Sequence, residues 1–289
     1  MPEKDNFEYE LVDFGDGIKL EKLGTRLIQR PSPFARRTSL DHADVCNEIT
    51  DQFVVSKSGN GNWIPDSENP WTIPFGPLVL EIRKSPQGQL GVFPEHAIQW
   101  RWMDRFNLRG KSILHLFGYT GATSLKLAHS GASVTHIDAS KSAVQWAREN
   151  AKHSNLTEAP IRWIVEDAVK FVSREVKRGN KYDGIVVDPP SFGRGPEGQV
   201  WKLEKHLDDL LSNLAKLLVD DATLLLLTSH TLEFDNRVLQ QKLEQHFQMP
   251  GGFESGKMSI PSSTGKKLGA GWFARNVAPK NQTMTEDGD

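Results

Sequence analysis

Short apolar runs alternate with stretches of helical periodicity from Ser112 to about Val277, the pattern that βαβ units on a parallel sheet impose. The predicted strands are Ser112–Phe117, Ser133–Asp138, Ile161–Val165, Tyr182–Asp188 and Thr223–Thr228. Near-unbroken apolar runs such as the last suit strands covered on both faces. A helix should open at about Gly121, capped by Thr120 and ended by Gly131. A second opens near Ser140 and places Ala143, Val144, Ala147 and Ala151 on one face. Two more are expected over about Leu203–Leu218 and Glu233–Phe247, the first with leucines at helical spacing. The extended segments Phe253–Ile260 and Leu268–Asn276, joined by the turn Pro261–Gly265, should pair antiparallel as a reversed edge.

The first hundred residues follow a different pattern. Leu11–Phe14 and Ile18–Leu20 flank Gly15-Asp16-Gly17 and read as a hairpin. Trp71–Phe75 and Leu78–Arg83 form another extended pair, with the polar, glycine-rich stretch Ser56–Asn62 between the two as a flexible loop. A helix from about Glu95 to Phe106 leads into the αβ region. The division expected is a small β-rich module over 1–92, an α/β domain over 93–278 and a disordered polar tail over 279–289.

Composition changes this picture little. Charged residues make up 25% and hydrophobic residues 37% of the 289, ordinary values for a soluble globular protein. No apolar run is long enough to cross a bilayer, and Met1–Asp5 carries no signal-peptide pattern. The single cysteine, Cys46, excludes an intrachain disulfide, so a cytoplasmic location is expected. The formal net charge of −2 does not advertise a polyanionic partner. Local basic groups do exist: Arg101, Arg105, Arg109 and Lys111, and Lys257, Lys266, Lys267, Arg275 and Lys280 against Glu254 alone. Either group reads as solvated surface or as a nucleic-acid footprint. His42 and Cys46 stand four apart with no further ligand nearby, so no metal site is expected.

The chemistry concentrates at the carboxyl ends of the predicted strands, where open α/β sheets bind ligands. Phe117-Gly118-Tyr119-Thr120-Gly121 is a tight glycine turn opening a helix, whose N-terminus offers amide donors and a positive dipole end. Asp138, 20 residues beyond Gly118 at the tip of the second strand, is placed to accept from both ribose hydroxyls of an adenosine ligand, or else to cap a helix. Asp167, ending the third, is placed either to accept from an adenine amino group or to cap the next helix. A dinucleotide site needs G-x-G-x-x-G, but Leu116 stands where the first glycine would fall. Asp188-Pro189-Pro190-Ser191-Phe192 ends the fourth strand. Its prolines fix the backbone and remove two amide donors, so its carbonyls should face outward as acceptors, with the Phe192 ring free to stack on a planar group.

The ordered set Leu116–Gly121, Asp138, Asp167 and Asp188–Phe192 resembles the S-adenosylmethionine-dependent class I methyltransferases. More narrowly, it is similar to bacterial large-subunit ribosomal RNA methyltransferases with an Asp-Pro-Pro-x-Phe motif and a small β module ahead of the catalytic domain. The resemblance covers about 90–277. It implies a Rossmann-like sheet and S-adenosylmethionine as cofactor, lined by Phe117, Gly118, Tyr119, Thr120, Gly121, Asp138, Asp167 and Asp188. It also implies ribosomal RNA as substrate, with Pro189, Pro190 and Phe192 bordering the acceptor base beside Asp188. Cytosine-5 transfer needs a cysteine that first adds to the ring, and Thr228-Ser229-His230-Thr231 stands at the fifth strand's end with Cys46 elsewhere. A base nitrogen, oriented by Asp188 and assisted by the Pro189 carbonyl, is the expected acceptor.

Three further residues are candidates with equally good structural explanations. His230 is a base at the sheet's mouth or a hydrogen-bonded structural histidine. Gly193–Gly198 has hinge-like composition and is expected to act as a lid. Within and after it, Arg194 would contact a phosphate and Trp201 would stack on a base; plain exposed loop is the alternative for both. The competing functions are methylation of a protein or small molecule, a non-catalytic nucleotide-binding module and a nucleotide-dependent dehydrogenase.

Overall fold

The structure, a computed structural model, describes residues 6–41, 43–56, 61–67 and 69–279. The expectations for residues 280–289, for His42 and for residues 57–60 of the polar loop lie outside the described residues.

The central sheet has seven strands: β8 (Ser112–Leu116), β9 (Ser133–Asp138), β10 (Ile161–Val165), β11 (Gly184–Val187), β14 (Leu224–Ser229), β15 (Phe253–Pro261) and β16 (Lys267–Asn276). Their order is β10-β9-β8-β11-β14-β16-β15. The first five run parallel, and β16 lies antiparallel to both β14 and β15. The reversed edge expected from the sequence is therefore present. Order reverses between β8 and β11, so a crevice opens at their carboxyl ends.

Side chains alternate across β14, sending Leu224 and Leu226 into one core cluster and Leu225 and Leu227 into the other, as a period of two requires. Helices α1 (Ala97–Met103), α2 (Ala122–His129) and α3 (Lys141–His153) supply Trp100, Leu125 and Ala151 to the first cluster. Helices α4 (Ala168–Arg178), α5 (Leu203–Ala215) and α6 (Asn236–His246) supply Phe171, Leu211 and Leu243 to the second. Helix starts follow local chemistry: the Ser140, Asp167 and Asp235 side chains accept amide hydrogens of the first turns of α3, α4 and α6. Thr120 does not cap α2. Gly121 takes that position at φ 81°, and the Thr120 hydroxyl donates instead to the Gly91 carbonyl.

Five strands form the N-terminal sheet: β1 (Tyr9–Gly15), β2 (Ile18–Leu23), β3 (Arg26–Pro31), β4 (Asp51–Val55) and β5 (Gly61–Ile64), in chain order. The β1–β2 turn uses Asp16 and Gly17, both with positive φ, as a two-residue hairpin favours. β3, β4 and β5 escaped the sequence pattern; β4 and β5 are short and half exposed. The second expected hairpin, β6 (Trp71–Phe75) with β7 (Leu78–Ile82), forms its own two-stranded sheet and packs on α3. There Asn150 Oδ1 accepts from the Glu81 amide at 2.8 Å, and Trp146 Nε1 donates to the Glu81 carbonyl at 2.9 Å. The segment after Pro190 is not a plain loop: β12 (Phe192–Arg194) pairs with β13 (Val200–Lys202) as a short hairpin.

Candidate functional site

The β8–α2 turn is shaped from below. Phe117 and Tyr119 hold φ of 58° and 49°, a costly conformation for non-glycine residues that persists only where surroundings over-determine it. Those surroundings are visible. The Gly118 amide donates to the Ile137 carbonyl at 3.0 Å, the Tyr119 amide to Asp138 Oδ2 at 2.8 Å, and the Gly121 amide to the Gly118 carbonyl at 3.0 Å. Two of these amides are thus spent on β9 and one within the turn. A Cβ at Gly118 would overlap the His136 ring, so glycine there is required by the packing beneath it. His136 is held by Ser124, whose Oγ lies 2.9 Å from its Nδ1 and 2.7 Å from Nδ1 of His115. Burial pushes His136 well below the usual imidazole range and His115 down to about 4, so both rings are neutral at pH 7.

Asp138 does not cap α3, a task that falls to Ser140. Its two oxygens accept from the Tyr119 and Ser140 amides, both at 2.8 Å. Burial pushes its carboxyl up against the pull of those two bonds. Each oxygen keeps a lone pair for a further donor. Asp167 caps α4 through Oδ1 at 2.9 Å from the Lys170 amide. Both carboxylates, with Phe117, Tyr119 and Asp188, line a cavity of about 330 Å³. A narrow extension between Gly91–Phe93, His96 and Gly118–Thr120 leads off it past Asp188.

Asp188 sits at the centre of a histidine pair. Its Oδ1 accepts from the Thr228 hydroxyl and lies 3.2 Å from His230 Nε2, while its Oδ2 lies 3.2 Å from His96 Nε2. Burial alone would raise the Asp188 carboxyl, but the two histidines outweigh it and hold it well below the usual carboxylate range. His230 Nδ1 lies 2.7 Å from the Ala270 carbonyl, which can only accept. That ring therefore donates at both nitrogens. Burial opposes the charge, yet Asp188 brings the His230 pKa up to about 9. The three side chains place their polar atoms within 4.8 Å of one another, a spacing set by the shared carboxylate. Three of Asp188's four lone-pair sites are occupied, leaving one on Oδ2.

The double-proline corner is pinned. Pro190 does not present its carbonyl outward: it accepts from Trp201 Nε1 at 2.7 Å. Trp201 is buried against Phe117, with ring centroids 5.0 Å apart. It is a support of the site, neither a stacking surface nor exposed loop. Phe192 is 50% exposed, with the exposed Arg194 guanidinium 6.0 Å from its ring.

Of the sequence-predicted site residues, Phe117, Tyr119, Asp138, Asp167, Asp188, Pro189 and Pro190 line the cavity, and Gly118 and the buried Thr120 line its narrow extension. Gly121 and Phe192 line neither. Sequence reading missed His96, Thr228 and the cavity wall Gly91–Phe93. Thr228 was legible as the end of an apolar run two residues before His230. His96 carried no such signal, since only the tertiary fold brings the segment before α1 to the sheet crest.

An S-adenosylmethionine-dependent methyltransferase family model matches residues 59–239. A solved SAM-dependent methyltransferase from Agrobacterium tumefaciens is 34% identical, with a TM-score of 0.87 over 94% of this chain and 91% of that one. A solved chain from Streptococcus mutans shares the fold at 15% identity, with a TM-score of 0.73 over 95% and 76% of the two chains. Among curated proteins, the ribosomal RNA large subunit methyltransferase K/L of Shewanella frigidimarina is 32% identical over 137 residues, 47% of this chain and 19% of that protein. The chain spans about a fifth of the length of the curated relatives it matches.

Proposed function

The chain belongs to the S-adenosylmethionine-dependent methyltransferases, and on that premise we propose that it methylates a base nitrogen of RNA, with ribosomal RNA as the substrate. The observation that carries the choice of atom is the Asp188 carboxylate, kept ionised between two histidines at the edge of the cavity.

The cavity's donor and acceptor set fits the cofactor. Asp138 retains acceptor capacity for ribose hydroxyls, and Asp167 Oδ2 faces no capping amide and is available to an adenine amino group. When bound, S-adenosylmethionine supplies an electrophilic methyl on a sulfonium. The protein's contribution is position and charge. Transfer is an in-line displacement, so fixing the acceptor supplies much of the rate. The Asp188 Oδ2 lone pair holds an N–H of the base edge, and its charge stabilises the positive charge that grows on the attacking nitrogen. Thr228, His96 and His230 fix that carboxylate's orientation. Phe192 offers an exposed ring to a splayed-out base, as sequence-specific RNA recognition favours. Neither Asp188, held low, nor His230, already protonated, is a strong base at pH 7. An acceptor with its own lone pair therefore suits the site better than one that must first be deprotonated. Cysteine-assisted carbon-5 chemistry has no nucleophile here, because no cysteine lines the cavity or its extension. The similarity to ribosomal RNA methyltransferases supports the substrate class, and such an enzyme works in the cytoplasm.

The test is transfer of labelled methyl groups from S-adenosylmethionine to ribosomal RNA from cells lacking the protein, followed by nucleoside mass spectrometry. A single methylated base nitrogen is expected. Label found only in protein, or 5-methylcytosine as the product, would overturn the assignment.

A further inference from the structure

The turn Ser32–Thr38 links β3 to the region ahead of β4 and stands beside the crest of the catalytic sheet. Ala35 anchors it, buried with Leu11, Phe14, Ile260 and Leu268. Backbone bonds hold it too: the Gly17 amide to the Ala35 carbonyl at 3.2 Å, the Asp16 amide to the Thr38 carbonyl at 2.7 Å, and the Ser32 amide to the Gly17 carbonyl at 2.8 Å. This rigid turn does something unfavourable with its other side chains. Phe34 is 36% exposed, and Arg36 and Arg37 are exposed as well.

Of these side chains, Phe34 reaches the catalytic sheet near its crest. The Phe34 ring centroid is 6.0 Å from that of Trp272, at 61°. Trp272 is paired in register with Ser229, the residue before His230, and the carbonyl that fixes His230 comes from Ala270 on the same strand. Two residues beyond His230, Leu232 is 73% exposed, the largest exposure of a large apolar side chain among the described residues. The nearby carboxylates are engaged elsewhere. Asp16 accepts from the Leu40 amide at 3.4 Å, and Asp41 pairs with Lys266 at 3.0 Å. Arg36 and Arg37 meet no carboxylate among the described residues. Exposed rings with unneutralised guanidinium groups are the two components by which proteins hold single-stranded nucleic acid.

We propose that Phe34, Arg36 and Arg37, with Trp272, form a platform that binds single-stranded RNA flanking the methylated base. The platform rests on the RNA assignment above. A base stacks on Phe34 and the edge of Trp272, while the two arginines meet backbone phosphates. The platform thereby supplies a local positive surface to a chain whose net charge of −2 would not by itself attract RNA.

The experiment compares wild type, Phe34→Ala and the double variant Arg36→Gln/Arg37→Gln by fluorescence anisotropy with a labelled single-stranded RNA of mixed sequence. Thermal melting confirms folding, and calorimetry with S-adenosylmethionine reports the cofactor site. Phe34→Ala should weaken RNA binding about tenfold, the loss expected of one stacked base. The arginine variant should lower the slope of log affinity against log salt by about 1.4, the value for two phosphate contacts on a single strand. Cofactor affinity should be unchanged in both, and ribosomal RNA methylation should show a raised KM with kcat retained. If wild type methylates RNA but both variants keep its affinity and salt slope, the platform is overturned while the RNA assignment stands. If wild type neither binds nor methylates RNA, both fall. Variants with normal RNA binding but reduced methylation of a ribosomal protein fraction would make this surface a protein dock, which also overturns the proposal.

Discussion

At the scale of single residues, the site's chemistry depends on two groups whose ionisation the fold has pushed apart. His230 has its pKa raised to about 9 from an ordinary value near 6.5. A raised pKa contributes stability that is complete below about pH 6.5 and is lost as pH rises through about 9. Thermal stability should therefore decline between those values. The loss is on the order of 1 kcal/mol once the 34% exposure of the His230 side chain is allowed for. His230→Gln should flatten that decline, and melting curves across the range check it. Asp188 works in the opposite sense: its carboxyl is held low, so its share of stability is present above the ordinary carboxylate range and fades as pH falls below it. Gly118 makes a different residue-scale prediction. Because His136 is confined beneath it by Ser124, Gly118→Ala must displace the turn or the ring. Cofactor affinity measured by calorimetry should drop at least about tenfold, at a cost of about 1–3 kcal/mol in stability.

At the scale of elements, the β12–β13 hairpin is coupled to the double-proline corner through one indole. Trp201→Phe keeps most of the packing on Phe117 but removes the donor to the Pro190 carbonyl. Losing that bond should cost about 1 kcal/mol and loosen the corner. The expected outcome is a reduced kcat with little change in cofactor affinity, together with faster amide exchange in the hairpin. Equal kcat and unchanged exchange would show that Trp201 merely fills space. The strands and helices that build this corner were readable from the chain because burial on two faces leaves near-continuous apolar runs, as in Leu224–Leu227, and because a cap such as Asp167 is local. The hairpin was not. Gly193–Gly198 reads as loop by composition, and what makes Val200-Trp201-Lys202 a strand is the distant contact of Trp201 with Phe117 and Pro190.

At the scale of the whole molecule, the N-terminal sheet is tied to the wall of the crevice by a buried charge. Arg30 on β3 donates to Glu21 on β2 at 2.8 Å and to the Gly88 carbonyl at 2.9 Å, three residues before Gly91 in the cavity wall. Burial opposes the Glu21 charge, but Arg30 and Lys19 overcome it and bring the carboxyl down to about 2. Its stabilising contribution is present above about pH 4.5 and disappears as pH falls toward 2. Arg30→Met leaves that carboxylate with only Lys19 and Tyr9 as partners and should lower stability by about 2 kcal/mol, read by denaturant titration, and weaken cofactor binding through the Gly88–Phe93 segment. A stable variant with normal cofactor affinity would show that the two halves are independent. None of this coupling was legible beforehand. The sequence pattern marks each half by its own periodicity, while Arg30, His96 and Asp188 acquire their roles only when segments far apart in the chain meet.

The central claim is that a fixed negative charge at the sheet crest holds the acceptor for methyl transfer, and single-turnover transfer by Asp188→Asn tests it most directly. The variant keeps the side chain's shape and removes its charge. S-adenosylmethionine affinity should stay within about threefold of wild type while the rate of transfer to RNA falls at least about a hundredfold. Transfer at the wild-type rate, with the cofactor bound normally, would contradict that claim.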